Sequence, residues 1–196
     1  MNTNNKGRNK IITDLIEISI LAGERIENIY NSDFRSSIKS DGSPLTLADT
    51  ESNKIICGSL TKIDKDIPII SEENASIPYK ERSKWNTYWL VDPLDGTKEF
   101  MNKNGEFTTN IALIKNHKPI IGVVHSPMRK ETYIGIEGHG SFYVNEANNF
   151  RELNCKKNTA NKKKACRVAV SRSHKSDVLS EFLNQLDDYE EIESGS

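Results

Sequence analysis

Between Phe107 and Cys155 the chain reads as a series of short strand-like runs, FTTNIALI, KPIIGVVHSP, ETYIGIEG, GSFYVN and RELNC. The links between them, such as IKNHKP, SPMRKE and EGHG, are rich in turn-forming residues and too short to hold crossover helices. Parallel neighbours need a crossover of a dozen or more residues, so these runs must pair antiparallel. An antiparallel sheet of this kind needs a covering layer, and the residues before it supply one. Ile11, Leu15, Ile18, Ala22, Ile26 and Ile29 recur at steps of three and four from Lys10 to Tyr30, which predicts an amphipathic helix. After the polar loop NSDFRSSIKSDGSP, Thr46 or Asp49 can cap a second helix whose inner face carries Ile55, Ile56, Leu60 and Ile63. Two short runs, Ile67 to Ser71 and Thr87 to Asp92, are apolar and rich in β-branched or aromatic residues, as buried strands are. Trp85 and Trp89 are read as packing residues around the second of these.

Length and charge set the outer limits. At roughly 150 residues per domain, 196 residues amount to about 1.3 domains. The expected division is an α+β domain over residues 10–155 and the start of an α/β domain over residues 165–196. In that second part RVAVSRSH reads as a strand, KSDVLSEFLNQL as a helix through Val178, Phe182 and Leu186, and YEEIESGS as the start of another strand. The lysine-rich segment from Lys156 to Lys164 is read as an exposed loop with no assigned partner. Lys and Arg total 27 against 28 Asp and Glu, which removes any global attraction for nucleic acid or an anionic membrane. No apolar run approaches the roughly 18 residues of a membrane span. The opening MNTNNKGRNK lacks the apolar stretch and small-residue cleavage site of a secretion signal. The cytoplasm is therefore the expected location, with association at the cytoplasmic face of the inner membrane left open. Cys57, Cys155 and Cys166 show no metal or disulfide spacing, and His117, His125 and His139 are read as structural.

The chemistry lies where elements change. Val91 to Lys98 reads VDPLDGTK, with Ser71-Glu72-Glu73 upstream and Thr46 to Asp49 before that. Asp92 precedes a proline, which biases its backbone to an extended conformation. Pro93 has no N–H, and a turn through Leu94 can leave that residue's carbonyl pointing with Asp92. Asp95-Gly96 reverses the chain, and Thr97 opens KEFM with unpaired N–H groups around it. Carboxylate and carbonyl oxygens suit Mg²⁺, which leaves positions for water and phosphate. Glu72 and Asp49 near Asp92 and Asp95 would be mutually repulsive unless a cation offset them. An ordinary β-turn explains the hexapeptide taken alone, a helix cap explains Asp49, and a solvated loop end explains Glu72.

Their joint order carries a resemblance. TLAD at 46–49, PIISEEN at 68–74 and WLVDPLDGTKEF at 89–100 resemble the signatures of the inositol monophosphatase superfamily of Mg²⁺-dependent, lithium-sensitive phosphatases. SDGSPLTLAD, LDGTKEF with NGEFTTNIALI, and VSRSH are similar to its CysQ-type 3′(2′),5′-bisphosphate nucleotidase branch. The resemblance implies a layered α-β-α-β sugar-phosphatase-like fold with a largely antiparallel first sheet. It implies Mg²⁺ held by Glu72, Asp92, the Leu94 carbonyl and Asp95, and a water oriented and deprotonated by Asp49 and Thr97. Substrate contacts would come from Glu72, Leu94, Asp95, Gly96, Thr97, His174 and Ser196. The implied reaction is hydrolysis of adenosine 3′,5′-bisphosphate to AMP and phosphate, within sulfur assimilation and nucleotide recycling. The implied partner is thus a small nucleotide bisphosphate, with no nucleic acid polymer and no stated oligomer. The superfamily pattern continues with a Trp-Asp pair, and with a Lys soon after the Gly-Ser segment, neither of which is present in this sequence, so the second domain is expected to be incomplete. An inositol monophosphatase-like or sugar-bisphosphate phosphatase, and a non-catalytic truncated remnant, are the alternatives.

Overall fold

Ile11 to Ile29 do form one buried helical stripe, and the helix that carries them, α1 (Thr3–Tyr30), begins at Thr3 rather than Lys10. The polar residues ahead of Ile11 continue the helix without adding to the apolar period, so periodicity marked only its packed part. The computed structural model describes residues 3–32, 36–38, 44–74, 76–146, 149–154, 166–172 and 176–195. The chain divides into two compact units, Met1–Leu153 and Asn154–Ser196.

In the first unit, the segment expected to be a plain polar loop contains two short strands, β1 (Ser36–Ile38) and β2 (Pro44–Thr46), paired antiparallel. Their pairing is made by backbone groups, which leave no apolar alternation to read. The helix α2 (Leu47–Ile63) starts directly after Thr46, which caps it together with Asp49. Among the described residues seven strands then form one sheet in chain order: β3 (Ile69–Ser71), β4 (Thr87–Asp95), β5 (Thr108–Lys115), β6 (Lys118–Ser126), β7 (Glu131–Ile136), β8 (Gly140–Asn145) and β9 (Phe150–Leu153). Every pair from β4 to β9 is antiparallel, as the short links demand, and β3 joins β4 in parallel. The β3 to β4 connection has room for this because it includes a short helix, α3 (Tyr79–Arg82). At the β5 to β6 turn, Asn116 and His117 both take positive φ, 49° and 62°, the backbone of a tight hairpin.

The alternating pattern of the strands sorts the sheet into two faces. Trp89, Val91, Ile111, Leu113, Ile121, Val123, Ile134 and Val144 are buried in one cluster with Leu15, Ile18 and Ala22 of α1 and Ile56 and Leu60 of α2. Leu90, Val124 and Tyr133 point the other way and are exposed. Trp89 thus belongs to the core, and Trp85 packs on Tyr88 with ring centroids 6.4 Å apart. His125 is buried, its Nδ1 2.9 Å from Thr132 Oγ1. Burial and the nearby Lys130 ammonium pull its pKa down to about 4, so it is a neutral packing residue. A second cluster, Ile26, Ile29, Tyr30, Ala48, Leu94, Phe100 and Phe107, closes the end of the unit near the carboxylates.

The second unit consists of β10 (Cys166–Ser171), α5 (Asp177–Leu183) and β11 (Tyr189–Ser194). The strands pair in parallel, as the βαβ reading expects. On α5 the buried residue is Leu183, while Val178 and Phe182 are exposed, which corrects the expected inner face by part of a turn. The helix ends at Leu183, so the spacing to Leu186 does not run along one helix. His174, Ser196 and the segment from Lys156 to Lys164 lie outside the described residues. Among the described residues no helix is long and apolar enough to cross a membrane.

Candidate active site

β4 does not stop at Asp92 but runs on to Asp95 through an irregularity. Asp92 pairs with Asn110 and Asp95 with Thr108, so three steps on β4 match two on β5. This is a β-bulge, and Pro93 explains its place: without an N–H it cannot close the ladder there. The chain then turns at Gly96, whose φ of 91° and ψ of 41° favour glycine, and enters the helix α4 (Thr97–Met101). The turn expected at Asp95-Gly96 is present there, while the strand before it is longer than expected.

The bulge brings several of the expected residues together. Asp92 Oδ1 is buried and has no hydrogen-bond partner. Burial, the neighbouring charges of Glu72 and Asp95, and a hydrogen bond with Glu72 push its pKa up to about 7. Such an atom lacks a positive partner, and a divalent cation is the partner that it and the neighbouring carboxylates of Glu72 and Asp95 would suit. Among the described residues no group of three His, Cys, Asp or Glu side chains stands close enough together to hold a metal ion as placed. Glu72 follows β3 directly, and its N–H donates to the Val91 carbonyl at 3.1 Å. The parallel pairing of β3 and β4 is therefore what sets Glu72 beside Asp92. Ser71 Oγ and Cys57 Sγ both donate to Asn53 Oδ1, at 2.7 and 3.1 Å, and Asn53 Nδ2 donates to Asn74 Oδ1 at 2.9 Å. These bonds fasten the Glu72 segment to α2. The Cys57 thiol pKa is raised by burial, so this cysteine is a packing thiol.

On the other side of the bulge, Thr97 Oγ1 lies 3.1 Å from Asp49 Oδ1 and 3.3 Å from the Leu94 carbonyl. Asp49 is almost fully buried. Its Oδ2 accepts from the Thr46 N–H at 2.8 Å and from Thr46 Oγ1 at 2.6 Å. Asp49 is thus both cap and site residue, and the two readings of it coexist. Glu72, Asp92 and Asn110 line one end of a groove of about 480 Å³ that continues over Leu90, Ala112 and Val124. A larger groove of about 580 Å³ lies between α1 and α2, away from these carboxylates.

The inositol monophosphatase family pattern matches residues 8–193. The chain belongs to that family. It is 35% identical over 180 residues to the 3′(2′),5′-bisphosphate nucleotidase CysQ of Aggregatibacter actinomycetemcomitans, a match covering 92% of this chain and 66% of that protein. It is 36% identical over 188 residues to the protein of the same name from Salmonella typhimurium, covering 95% of this chain and 73% of the relative. The crystal structure of CysQ from Bacteroides thetaiotaomicron superposes with a TM-score of 0.74 at 33% identity, covering 94% of this chain and 72% of that one. The inositol monophosphatase fold expected from the signatures, with its mostly antiparallel sheet covered by helices, is the fold observed.

Sequence reasoning missed Ser52, Asn53, Thr109 and Asn110. Each is a common polar residue inside a helix or strand pattern, and nothing in its spacing distinguishes it from a surface position. Only the packing of α2 over the end of β4 gives it a role.

Proposed function

We propose that this inositol monophosphatase family chain is a divalent-cation-dependent phosphatase acting on a 3′(2′),5′-bisphosphate nucleotide. Adenosine 3′,5′-bisphosphate is the substrate, and AMP and phosphate are the products. The observation that carries the reading is the buried, unpartnered Asp92 Oδ1 beside Glu72 and Asp95, next to the Leu94 carbonyl that shares Thr97 with Asp49. The names of the two curated relatives point to the nucleotide branch.

In this reading Glu72, Asp92, the Leu94 carbonyl and Asp95 hold Mg²⁺. When bound, the cation supplies the positive charge that acidifies a nucleophilic water and offsets charge on the transferring phosphoryl group. The remaining work belongs to the chain. Thr97 donates its hydroxyl proton to Asp49, which leaves its oxygen lone pairs to accept a hydrogen bond from the attacking water. As the water oxygen bonds to phosphorus, its proton passes to Thr97 and the Thr97 proton passes to Asp49. The phosphorus–oxygen bond to the ribose breaks in line, and the ribose oxygen takes a proton from solvent. Gly96 and Thr97 frame the phosphate; the nucleotide contacts that the resemblance implies for His174 and Ser196 fall on residues outside those described. The metal-binding residues all belong to the first compact unit, Met1–Leu153.

The test is phosphate release from adenosine 3′,5′-bisphosphate, inositol monophosphate and a sugar bisphosphate, each with Mg²⁺, with chelator and with added Li⁺. The expected result is Mg²⁺-dependent, Li⁺-inhibited release from the nucleotide that vanishes in Asp95→Asn. Release that persists in chelator would overturn the mechanism. Preference for inositol monophosphate would move the substrate to the sister branch.

A further inference from the structure

We infer that Ser52 and Thr109 are positioning residues for the cation site, acting together through the carbonyl of Pro93. The inference rests on the metal-binding reading above. Ser52 Oγ donates to the Pro93 carbonyl at 2.8 Å from α2, and Thr109 Oγ1 donates to the same oxygen at 3.2 Å from β5. Both side chains are fully buried, at 0% exposure, and Pro93 is buried too.

The bulge makes this clamp necessary. Between Asp92 and Asp95 the register with β5 slips, so the strand ladder does not fix the orientation of the intervening peptides. Pro93 contributes no donor, and its carbonyl is an acceptor with two lone pairs in a buried place. Two hydroxyls from two different elements take both lone pairs and set that peptide plane. The residues on either side of the Pro93–Leu94 segment are Asp92 and Asp95. A rotation at Pro93 would move both carboxylates relative to Glu72, whose own segment is held by Asn53 and by the Val91 carbonyl ahead of the bulge. Geometry at a metal site is sensitive to such support from outside the ligand set.

Because the two hydroxyls share one acceptor, their effects are not additive. Removing either leaves the carbonyl with one donor, and removing both leaves it buried with none. The experiment measures Mn²⁺ binding to the intact chain by electron paramagnetic resonance of the free ion, with Mg²⁺ as competitor. It compares the parent with Ser52→Ala, Thr109→Val, Thr109→Ser and the Ser52→Ala/Thr109→Val pair. Thr109→Val keeps the shape and drops the hydroxyl, whereas Thr109→Ser drops a methyl and keeps the hydroxyl. Expected are a loss of affinity of about 3-fold in Ser52→Ala and Thr109→Val, on the order of 30-fold in the pair, and near-parent binding in Thr109→Ser. If the pair does not fold by circular dichroism, the comparison of Thr109→Val with Thr109→Ser decides alone. Equal binding by those two variants, or weaker binding by Thr109→Ser, would mean that Thr109 only packs and would overturn the clamp. A parent chain that binds no Mn²⁺ would instead overturn the metal-site reading and the clamp with it.

Discussion

Thr97 Oγ1 stands 3.1 Å from Asp49 Oδ1 across 48 positions of sequence. The contact joins the first turn of α2 to the first residue of α4, immediately after the bulge that carries Asp92 and Asp95. Both residues have a structural partner as well, Thr46 for Asp49 and the Leu94 carbonyl for Thr97. This hydrogen-bonded pair is thereby held in one geometry before any substrate arrives.

If that pair moves the proton, Thr97→Val and Asp49→Asn each lower kcat by roughly 10²–10⁴-fold. Thr97→Ser, which keeps the hydroxyl, retains most of the rate. Steady-state phosphate release by the three variants, at saturating Mg²⁺, is the measurement. A Thr97→Val enzyme within threefold of the parent would remove Thr97 from the proton path.

Thr46 has no expected contact with substrate, yet its hydroxyl and N–H both bond to Asp49 Oδ2 and its side chain caps α2. Thr46→Ala is expected to cost about 1 kcal/mol of stability through the lost cap. It should also lower kcat, because Asp49 loses a fixing bond. Urea unfolding and kinetics on the same preparation check both effects.

Asp92 gives the metal-free protein a pH dependence whose sign is definite. Its folded pKa of about 7 lies above the ordinary 3.8, so the folded state holds a proton that the unfolded state has released between those values. This contribution to stability is fully present below about pH 4 and is lost as pH rises through 7. In chelator, Tm should therefore be lower at pH 8 than at pH 5 by more in the parent than in Asp92→Asn. Mg²⁺ should raise Tm at pH 8 and do less at pH 5, where the proton competes for the same oxygens. Differential scanning fluorimetry over that pH range reads out both effects, and a Tm shift with Mg²⁺ that is equal at the two pH values would contradict the assignment.

Gly23 sits on α1 where a Cβ would come within 2.6 Å of His125 Cδ2 and Nε2. Alanine is the better helix former by about 1 kcal/mol, but Gly23→Ala should still destabilise by about 1–3 kcal/mol, because the buried ring must move. Combining it with His125→Ala should recover part of that loss, since the ring is then gone. A double-mutant cycle by chemical denaturation measures the coupling.

Much of this protein was legible in one dimension. The step of three and four in Ile11 to Ile29 located the buried stripe of α1, and the short links after Phe107 required antiparallel pairing. Asp49, Glu72, Asp92, Asp95 and Thr97 stood out because acids and a turn fall at the ends of elements, where side chains leave the core. The hairpin of β1 and β2 was hidden because backbone bonds made it. The inner face of α5 was misplaced because Val178 and Phe182 fit a helical period while Leu183 is the residue buried.

The sequence by itself determined the family, most of the elements and the acidic residues of the candidate site, since each depends on local pattern and residue chemistry. Tertiary structure alone decided how those residues meet. The parallel placement of β3 sets Glu72 beside β4, and the packing of α2 over the bulge brings Ser52 to Pro93 and Asp49 to Thr97. Periodicity states which side of an element turns inward, but it does not state which residue of another element waits there. That information arises only when the layers stack, because contacts between residues 41 or 48 positions apart are set by the relative position of helix and sheet and by one extra residue in a strand.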